Sequence, residues 1–388
     1  MPLTVLSDHD VSRILHSFTK EDILALQENM ADALHWYSTS NDDNDYCSDF
    51  QPERVQLKRK DGSTTLFLPA NGCKGQGVKI INVVPPDALG GLPSLINAEE
   101  VTAFRTALCS TMMLRKRHSV HDLTVFGAGK QAYWHIRLAL LLRGDEIHHL
   151  NIITRKFESA RKCVMRLYNP QPDDPGYVNP IGSKYNSRAK KNILTPAHTE
   201  YQRLVKEYVR ASNVIFCCTP SESPLFPASY LINPEGRKKG RYIACIGSYK
   251  ANMIELHPDV LRYAVAPHHE HRHIHKRQKE GGAIIVDSVT GCLREAGEVV
   301  QAKLLPDQVV ELGELFMLKK EAERKSREKG QHAEGGCAFQ DNSGLMEWLT
   351  RGNVIYKSVG LGLMDIVVGG FMIEWAKERD IGTTIPNF

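Results

Sequence analysis

The sequence is short of the features that would place it in several large classes. Its nine cysteines are an odd number with no CxxC pair, so the spacing spells out neither a disulfide framework nor a thiolate zinc site. Cys217, Cys218 and Cys245 instead lie in the apolar runs NVIFCCTP and YIACIG, as free thiols of a reducing compartment do. No apolar stretch approaches the ~18 residues of a membrane helix. The opening MPLTVLSDHDVSRIL has no basic segment followed by an apolar core, the pattern of a secretory signal. These absences predict a cytoplasmic chain with no membrane partner. Charge of one sign is also scarce: 49 basic against 45 acidic residues leave a net +4, which does not call for nucleic acid. The short basic clusters KRK (58–60), RKR (115–117) and GRKKGR (236–241) read as solvated faces.

What is present allows two cores, since 388 residues exceed the ~250–300 at which a single core stops growing. The chain opens helically. Ser7 and Thr19 are candidate caps, Asp22 follows Thr19 by three residues, and Val11, Ile14 and Leu15 recur at helical spacing. STSNDDNDYCSDF then reads as loop. From Val55 the period falls to two, with RVQLKRKDGSTTLFLPA as two strands around KDGS and GQGVKIINVVPP as a third. AEEVTAFRTALCSTMMLRK returns to a helical period.

Between 121 and about 300, strand-like pieces alternate with helix-like ones, the pattern of a doubly wound parallel sheet. The strand candidates are LTVFG, LNIIT, NVIFCCT, RYIACIG and AIIVD. Residues 167–192 and 267–282 read as surface insertions, and NVIYKSVGLGLMDIVVGGFMIEWAKERDIG as a strand followed by a long buried helix. Five histidines in the second insertion (268, 269, 271, 273 and 275) alternate within a charged loop that has no cysteine, which reads as a solvated insertion, and no metal site is assigned.

LTVFGAGKQAYWHIRLALLL carries the most specific local pattern. A strand runs into Gly127, Ala128, Gly129, Lys130, Gln131 and Ala132, the G-x-G-x-x-A form of a dinucleotide cradle. Gly127 makes the turn, Gly129 lets backbone approach a pyrophosphate, and Ala132 is the third small position. A plain glycine-rich loop would share the glycines, but not a strand before, a helix after and further strands beyond. The second strand ends at Thr154 and Arg155. A carboxylate there would hold a ribose 2′-hydroxyl, whereas Arg155 suits a 2′-phosphate and favours NADP(H) over NAD(H). A solvated arginine opening the next helix accounts for the same residue. Thr219, Gly247 and Ser248 follow later strands and so are candidates to line the ligand crevice.

Taken in order, QPERVQL, LFLPA, GVKIINVVPPD, GLP, EEVTAFRTAL, VFGAGKQA, IITR, CTPSESP, IGSYKANMIEL, IIVDS and YKSVGLGLMD resemble the ornithine cyclodeaminase/mu-crystallin family across nearly the whole chain outside the insertions. The resemblance implies an α/β fold: a Rossmann doubly wound domain at 117–325, a polar linker at 326–344, and an α+β substrate-binding and dimerisation domain built from 1–116 and 345–388. It also implies a nicotinamide cofactor and a homodimer acting on an amino acid or cyclic imino acid. Arg54, Lys79 and Arg105 match positions that hold the substrate carboxylate, with Arg105 and Thr106 near the cofactor phosphates. Ser358, Val359 and Gly360 match the turn near the nicotinamide. The residue chemistry agrees, because a carboxylate needs fixed cations, and Lys79 interrupts an apolar strand where an unpaired ammonium would be costly.

Two departures bear on activity. In the cyclodeaminase form the loop after IG carries an aspartate that assists proton transfer; here Tyr249 stands there. A phenol, with an ordinary pKa of ~10, donates a proton more readily than it takes one near neutrality. Lys79 and Tyr249 are thus the candidate catalytic residues, and the expected activity is ketimine reduction or amino-acid dehydrogenation at the Cα–N bond. Cyclodeamination of ornithine or lysine is the first alternative, and non-catalytic cofactor or small-ligand binding the second. The segment GLPSLINAEEVTAFRT is also shorter than the resemblance leads one to expect, which brings the usual dimer sheet into question.

Overall fold

The computed structural model describes residues 3–38, 51–52, 54–58, 64–72, 75–83, 98–174, 177–182, 188–236, 239–266, 282–316 and 343–385. The segment after Pro93 that bears on the dimer sheet, the histidine-rich stretch and most of the polar linker lie outside them. The chain divides into two compact units, Met1–Arg105 with Gly360–Phe388, and Thr106–Val359.

In the first unit both expected caps form. The Ser7 hydroxyl accepts the Asp10 N–H at 3.1 Å while the Asp10 carboxylate accepts the Ser7 N–H at 2.9 Å, a capping box that starts the helix Asp8–Ser17. Thr19 and Asp22 repeat it at 2.8 and 3.2 Å ahead of the helix Lys20–Ser38. Val11, Ile14, Ile23, Leu26, Met30 and Leu34 are buried, the stripe that helical spacing predicts. β1 (Leu3–Val5) pairs antiparallel with the C-terminal β13 (Thr383–Ile385). β2 (Val55–Lys58), β3 (Thr64–Gly72) and β4 (Gly75–Val83) form an antiparallel sheet in that order. The helix Gly362–Glu378 packs on β3, β4 and the helix Lys20–Ser38. Phe18 meets Phe371 and Trp375 edge-on, at 5.5 and 5.1 Å between ring centroids.

Eight parallel strands organise the second unit: β5 (Asp122–Phe126), β6 (His149–Ile153), β7 (Lys190–Leu194), β8 (Val214–Cys217), β9 (Tyr242–Cys245), β10 (Ile284–Val286), β11 (Val309–Glu311) and β12 (Val354–Lys357). Their order is β11-β10-β12-β9-β8-β5-β6-β7. Every residue of β8, β9, β10 and β12 is buried, so the strands read as unbroken apolar runs rather than alternating ones. The order reverses at β5, with β6 and β7 on one side and β8 on the other. Ligand crevices of open α/β sheets lie at such a reversal.

All five strands expected here from the sequence are present. β7 is an addition: KKNIL begins inside the expected insertion and has only two apolar residues, a weak signal for an edge strand. A correction concerns the boundary. Residues 345–359, expected with the first domain, belong to the second unit, because β12 inserts between β9 and β10. A fully buried parallel strand carries no local mark of which sheet it joins. The other boundary falls at 105/106 rather than 116/117, within the helix Ala98–Leu114.

Arg117 fastens that inserted segment. Its guanidinium is buried and donates to the Leu349 and Gly352 carbonyls at 2.9 and 2.8 Å; burial lowers its pKa to about 10, with Tyr242 opposing. Arg117→Leu would strand both acceptors away from water and should cost about 2–3 kcal/mol, read as a lower urea midpoint at unchanged slope.

Candidate functional site

The glycine cradle has the geometry its spacing predicts. Gly127 follows β5 with φ +111°, and a Cβ there would lie 2.7 Å from the Cys218 carbonyl oxygen, so only glycine fits. Its N–H donates to the Ile153 carbonyl at 2.9 Å. Gly129 caps the helix Lys130–Arg143 with no side-chain hydrogen bond, and a Cβ on it would meet nothing within 4 Å. Ala128, Lys130 and Gln131 are half-buried and Ala132 fully so. The buried Gln131 Oε1 has no hydrogen-bond partner. An uncapped helix start, open space above its glycine and a sheet reversal beneath it fit a dinucleotide pyrophosphate. Thr154 follows β6 and donates its N–H to Leu194 at 3.0 Å; Arg155 beside it is exposed.

The other crevice candidates occupy strand ends as expected, but three of their side chains turn inward, the Thr219 hydroxyl donating to Glu255 Oε1 at 3.2 Å and the two serine hydroxyls as follows. The Thr219 N–H, after β8, donates to Glu255 Oε1 at 2.6 Å, and the Gly247 N–H, after β9, to Glu255 Oε2 at 2.6 Å. Ser248 is fully buried. Its hydroxyl donates to Glu298 at 2.5 Å and accepts from the Lys357 ammonium at 2.6 Å. The Ser358 hydroxyl donates to Asp287 at 2.7 Å, and the Val359 N–H donates to the same carboxylate. Ser248 and Ser358 therefore serve the interior with their hydroxyls, because strand-end spacing locates a backbone and not a side-chain direction. Burial pushes the Glu255 carboxyl up to about 7, against the pull of Lys357 and the N–H donors of Thr219 and Gly247. Burial pulls Lys357 down, yet Glu298 and Glu255 together hold it above its ordinary value. Glu298 and Lys357 were missed as functional residues. Lys357 had a legible signal, a lysine closing the apolar strand VIYK, the same kind that marks Lys79.

In the first unit, Lys79 and Arg105 converge on one carboxylate. The Lys79 ammonium donates to Asp365 Oδ1 at 2.6 Å and to the Thr102 hydroxyl at 2.6 Å. Arg105 Nε lies 3.5 Å from Asp365 Oδ2, and its Nη1 reaches Met364 Sδ at 3.3 Å. Both cations are buried. Gly360 has φ +91°, and a Cβ there would come within 2.6 Å of Arg105 Nη2, so glycine makes room for the guanidinium. Burial pulls Lys79 down to about 8, Asp365 resists, and Arg105 adds to the fall. In the sheet Leu68 pairs with Lys79, and Val55 with Phe67. Half-buried Arg54, one residue before β2, thus extends the row of Leu68 and Lys79, about 10 Å from Lys79 at the usual strand spacing. Thr106 is buried at the start of the second unit. Tyr249 is exposed after β9, with the Lys250 ammonium 5.6 Å from its ring centroid.

No protein-family model matches the chain. Among curated proteins, an uncharacterised protein of Saccharomyces cerevisiae is 25% identical over 94% of this chain and 95% of its own length. A Delta(1)-pyrroline-2-carboxylate reductase of Bacillus cereus is 26% identical, covering 83% of this chain and 85% of its own. Among solved structures, Thermococcus litoralis Delta(1)-pyrroline-2-carboxylate reductase, in complex with NADH and L-proline, superposes with a TM-score of 0.65 at 17% identity over 98% of this chain and all of that one. The fold is therefore shared along essentially the whole chain.

Removing the shared anion tests the cation pair. Asp365→Asn leaves two buried cations on a neutral amide and should lower stability by about 3–5 kcal/mol, measured by chemical denaturation near pH 7.

Proposed function

We propose that the chain, identified above by its ordered motifs with the ornithine cyclodeaminase/mu-crystallin family and 26% identical to a Delta(1)-pyrroline-2-carboxylate reductase, is an NAD(P)H-dependent oxidoreductase acting at the Cα–N bond of a cyclic imino acid or amino acid. The observation that carries the reading is the pair Lys79 and Arg105 sharing the single carboxylate of Asp365. Two buried cations on one anion leave a positive site, and a substrate carboxylate is the ligand that completes it. The bound nicotinamide supplies the hydride. Arg105 gives a forked donor set, Lys79 a point charge, and Arg54 a third cation on the same sheet row. Tyr249 is assigned as proton donor, since an exposed phenol can deliver the one proton that imine reduction consumes. It is a poor base for the repeated proton transfers of cyclodeamination.

Arg155 at the end of β6 supports NADP(H) as the preferred cofactor, by pairing with a 2′-phosphate. The outer face of the β2–β4 sheet exposes Val55, Leu57, Val78 and Ile80. An apolar strip of this kind supports a homodimer through that face. Among the described residues the six free cysteines, five of them buried, accord with a reducing, cytoplasmic setting, and no helix there is long and apolar enough to cross a membrane.

Purified protein mixed with five- and six-membered cyclic imino acids should oxidise NADPH, followed at 340 nm, faster than NADH. Absence of turnover across that panel and across amino acids with NADP would remove the oxidoreductase reading, and ammonia release from ornithine would replace it with cyclodeamination. The pH response has a definite sign. Lys79 keeps its charge below about 8, so KM for the imino acid should rise as pH climbs through about 8. In Lys79→Arg, whose cation does not titrate there, that rise should vanish.

A further inference from the structure

Four fully buried polar side chains lie beneath the carboxyl ends of β8, β9 and β12 and are linked in series. Lys357, the last residue of β12, donates to the Ser248 hydroxyl. Ser248 donates to Glu298 in the helix Gly297–Ala302. Glu298 Oε1 also accepts the backbone N–H of Glu255 at 2.7 Å, and the Glu255 side chain ends on the N–H groups of Thr219 and Gly247. Burying two carboxylates with one ammonium is expensive unless the arrangement fixes something else. What it fixes is the crevice rim. A Cβ on Gly247 would lie 2.0 Å from the Thr219 carbonyl oxygen, and one on Gly127 would touch Cys218 O at 2.7 Å and Thr219 Cγ2 at 3.3 Å. The glycine turn thus rests on the loop after β8, that loop rests on the one after β9, and a single carboxylate grips both.

We propose that Glu255 is a positioning residue for dinucleotide binding, its carboxylate clipping the loops after β8 and β9 together so that the glycine turn keeps the shape that admits the cofactor. The inference rests on the reading that the second unit binds NAD(P)H. It adds a requirement that both Glu255 oxygens act as acceptors, which only the ionised form meets fully. The groups facing Glu255 are Lys357 from β12, Glu298 from its helix, and the thiols of Cys217, Cys218 and Cys245 from the β8 and β9 ends. With Glu255 poised at about 7, proton uptake on acidification loosens the clip. The stability sign is opposite. The folded pKa lies above the ordinary value, so ionised Glu255 weakens the fold as pH rises through about 7 and only its binding role favours that form.

The test is the NADH dissociation constant by fluorescence titration between pH 6 and 8, with thermal melting measured alongside. NADH is used because a 2′-phosphate itself titrates near pH ~6. The wild-type constant should rise about tenfold from pH 8 to pH 6, as the competent fraction falls. Glu255→Gln should bind roughly tenfold more weakly at pH 8 and show no such rise. If Glu255→Gln fails to fold, Ser248→Ala, which removes the hydroxyl between Lys357 and Glu298, should fold and bind NADH several-fold more weakly. Unchanged affinity and pH response in the variant that folds, even with a lower melting temperature, would overturn the proposal and leave a purely structural role. If the wild type binds neither NADH nor NADPH, the cofactor reading fails first, and that result is distinct from a variant that merely equals wild type; if it binds NADPH alone, the same comparison of wild type with Glu255→Gln is read with NADPH.

Discussion

Taking an ammonium out of water costs several kcal/mol unless an anion accompanies it, and each unit of this chain is built around one such group. In the first, Lys79 is anchored by Asp365 across 286 residues of sequence separation. In the second, Lys357 is held among Ser248 and Glu298 at the ends of the central strands. The two arrangements differ in charge balance. Lys79 and Arg105 share one carboxylate, which leaves positive charge for an anionic ligand. Lys357 faces two carboxylates, which leaves a site turned inward, able to hold backbone but not to attract an anion. On the proposed reading one buried cation serves a binding site and the other a scaffold.

That distinction explains what could be read before the fold was known. Gly127 and Ala132 were legible because their requirements are local: a left-handed turn and a helix packed on the strand before it. The caps at Ser7 and Thr19 are equally local, each closed within three residues. Lys79 was legible for another reason, as a charge inside an otherwise apolar strand that had to have a partner, and Arg105 through the resemblance alone. The identity of the partner was not legible. Nothing in sequence ties Asp365 to β4. Ser248 was read as facing the ligand because it follows a strand, but its hydroxyl is claimed by Lys357 and Glu298, two residues whose roles exist only once β12 has joined the sheet. The assignment of β12 to the wrong domain and the omission of Glu298 and Lys357 are therefore one error, the misplacement of a single strand.

The chemistry divides along the same lines. On the proposed reading a GxGxxA turn and an exposed arginine after β6 take the cofactor phosphates, a task backbone N–H groups and one side chain can perform without buried charge. Recognising a small carboxylate demands desolvated cations in fixed geometry, and Asp365 provides the fixing at the expense of part of the positive field. The depressed Lys79 value, about 8, reflects that compromise: burial and Arg105 strip the proton, Asp365 retains it, and the group remains cationic at neutral pH.

The central claim is that a carboxylate-bearing imine receives hydride at Cα. Turnover with NADPH deuterated at either face of nicotinamide C4, followed by mass analysis of the amino-acid product, tests it most directly. One of the two labelled cofactors should deliver one deuterium to Cα for every cofactor oxidised. Product carrying no deuterium from either form, or cyclic product released with ammonia and no net cofactor consumption, would contradict it.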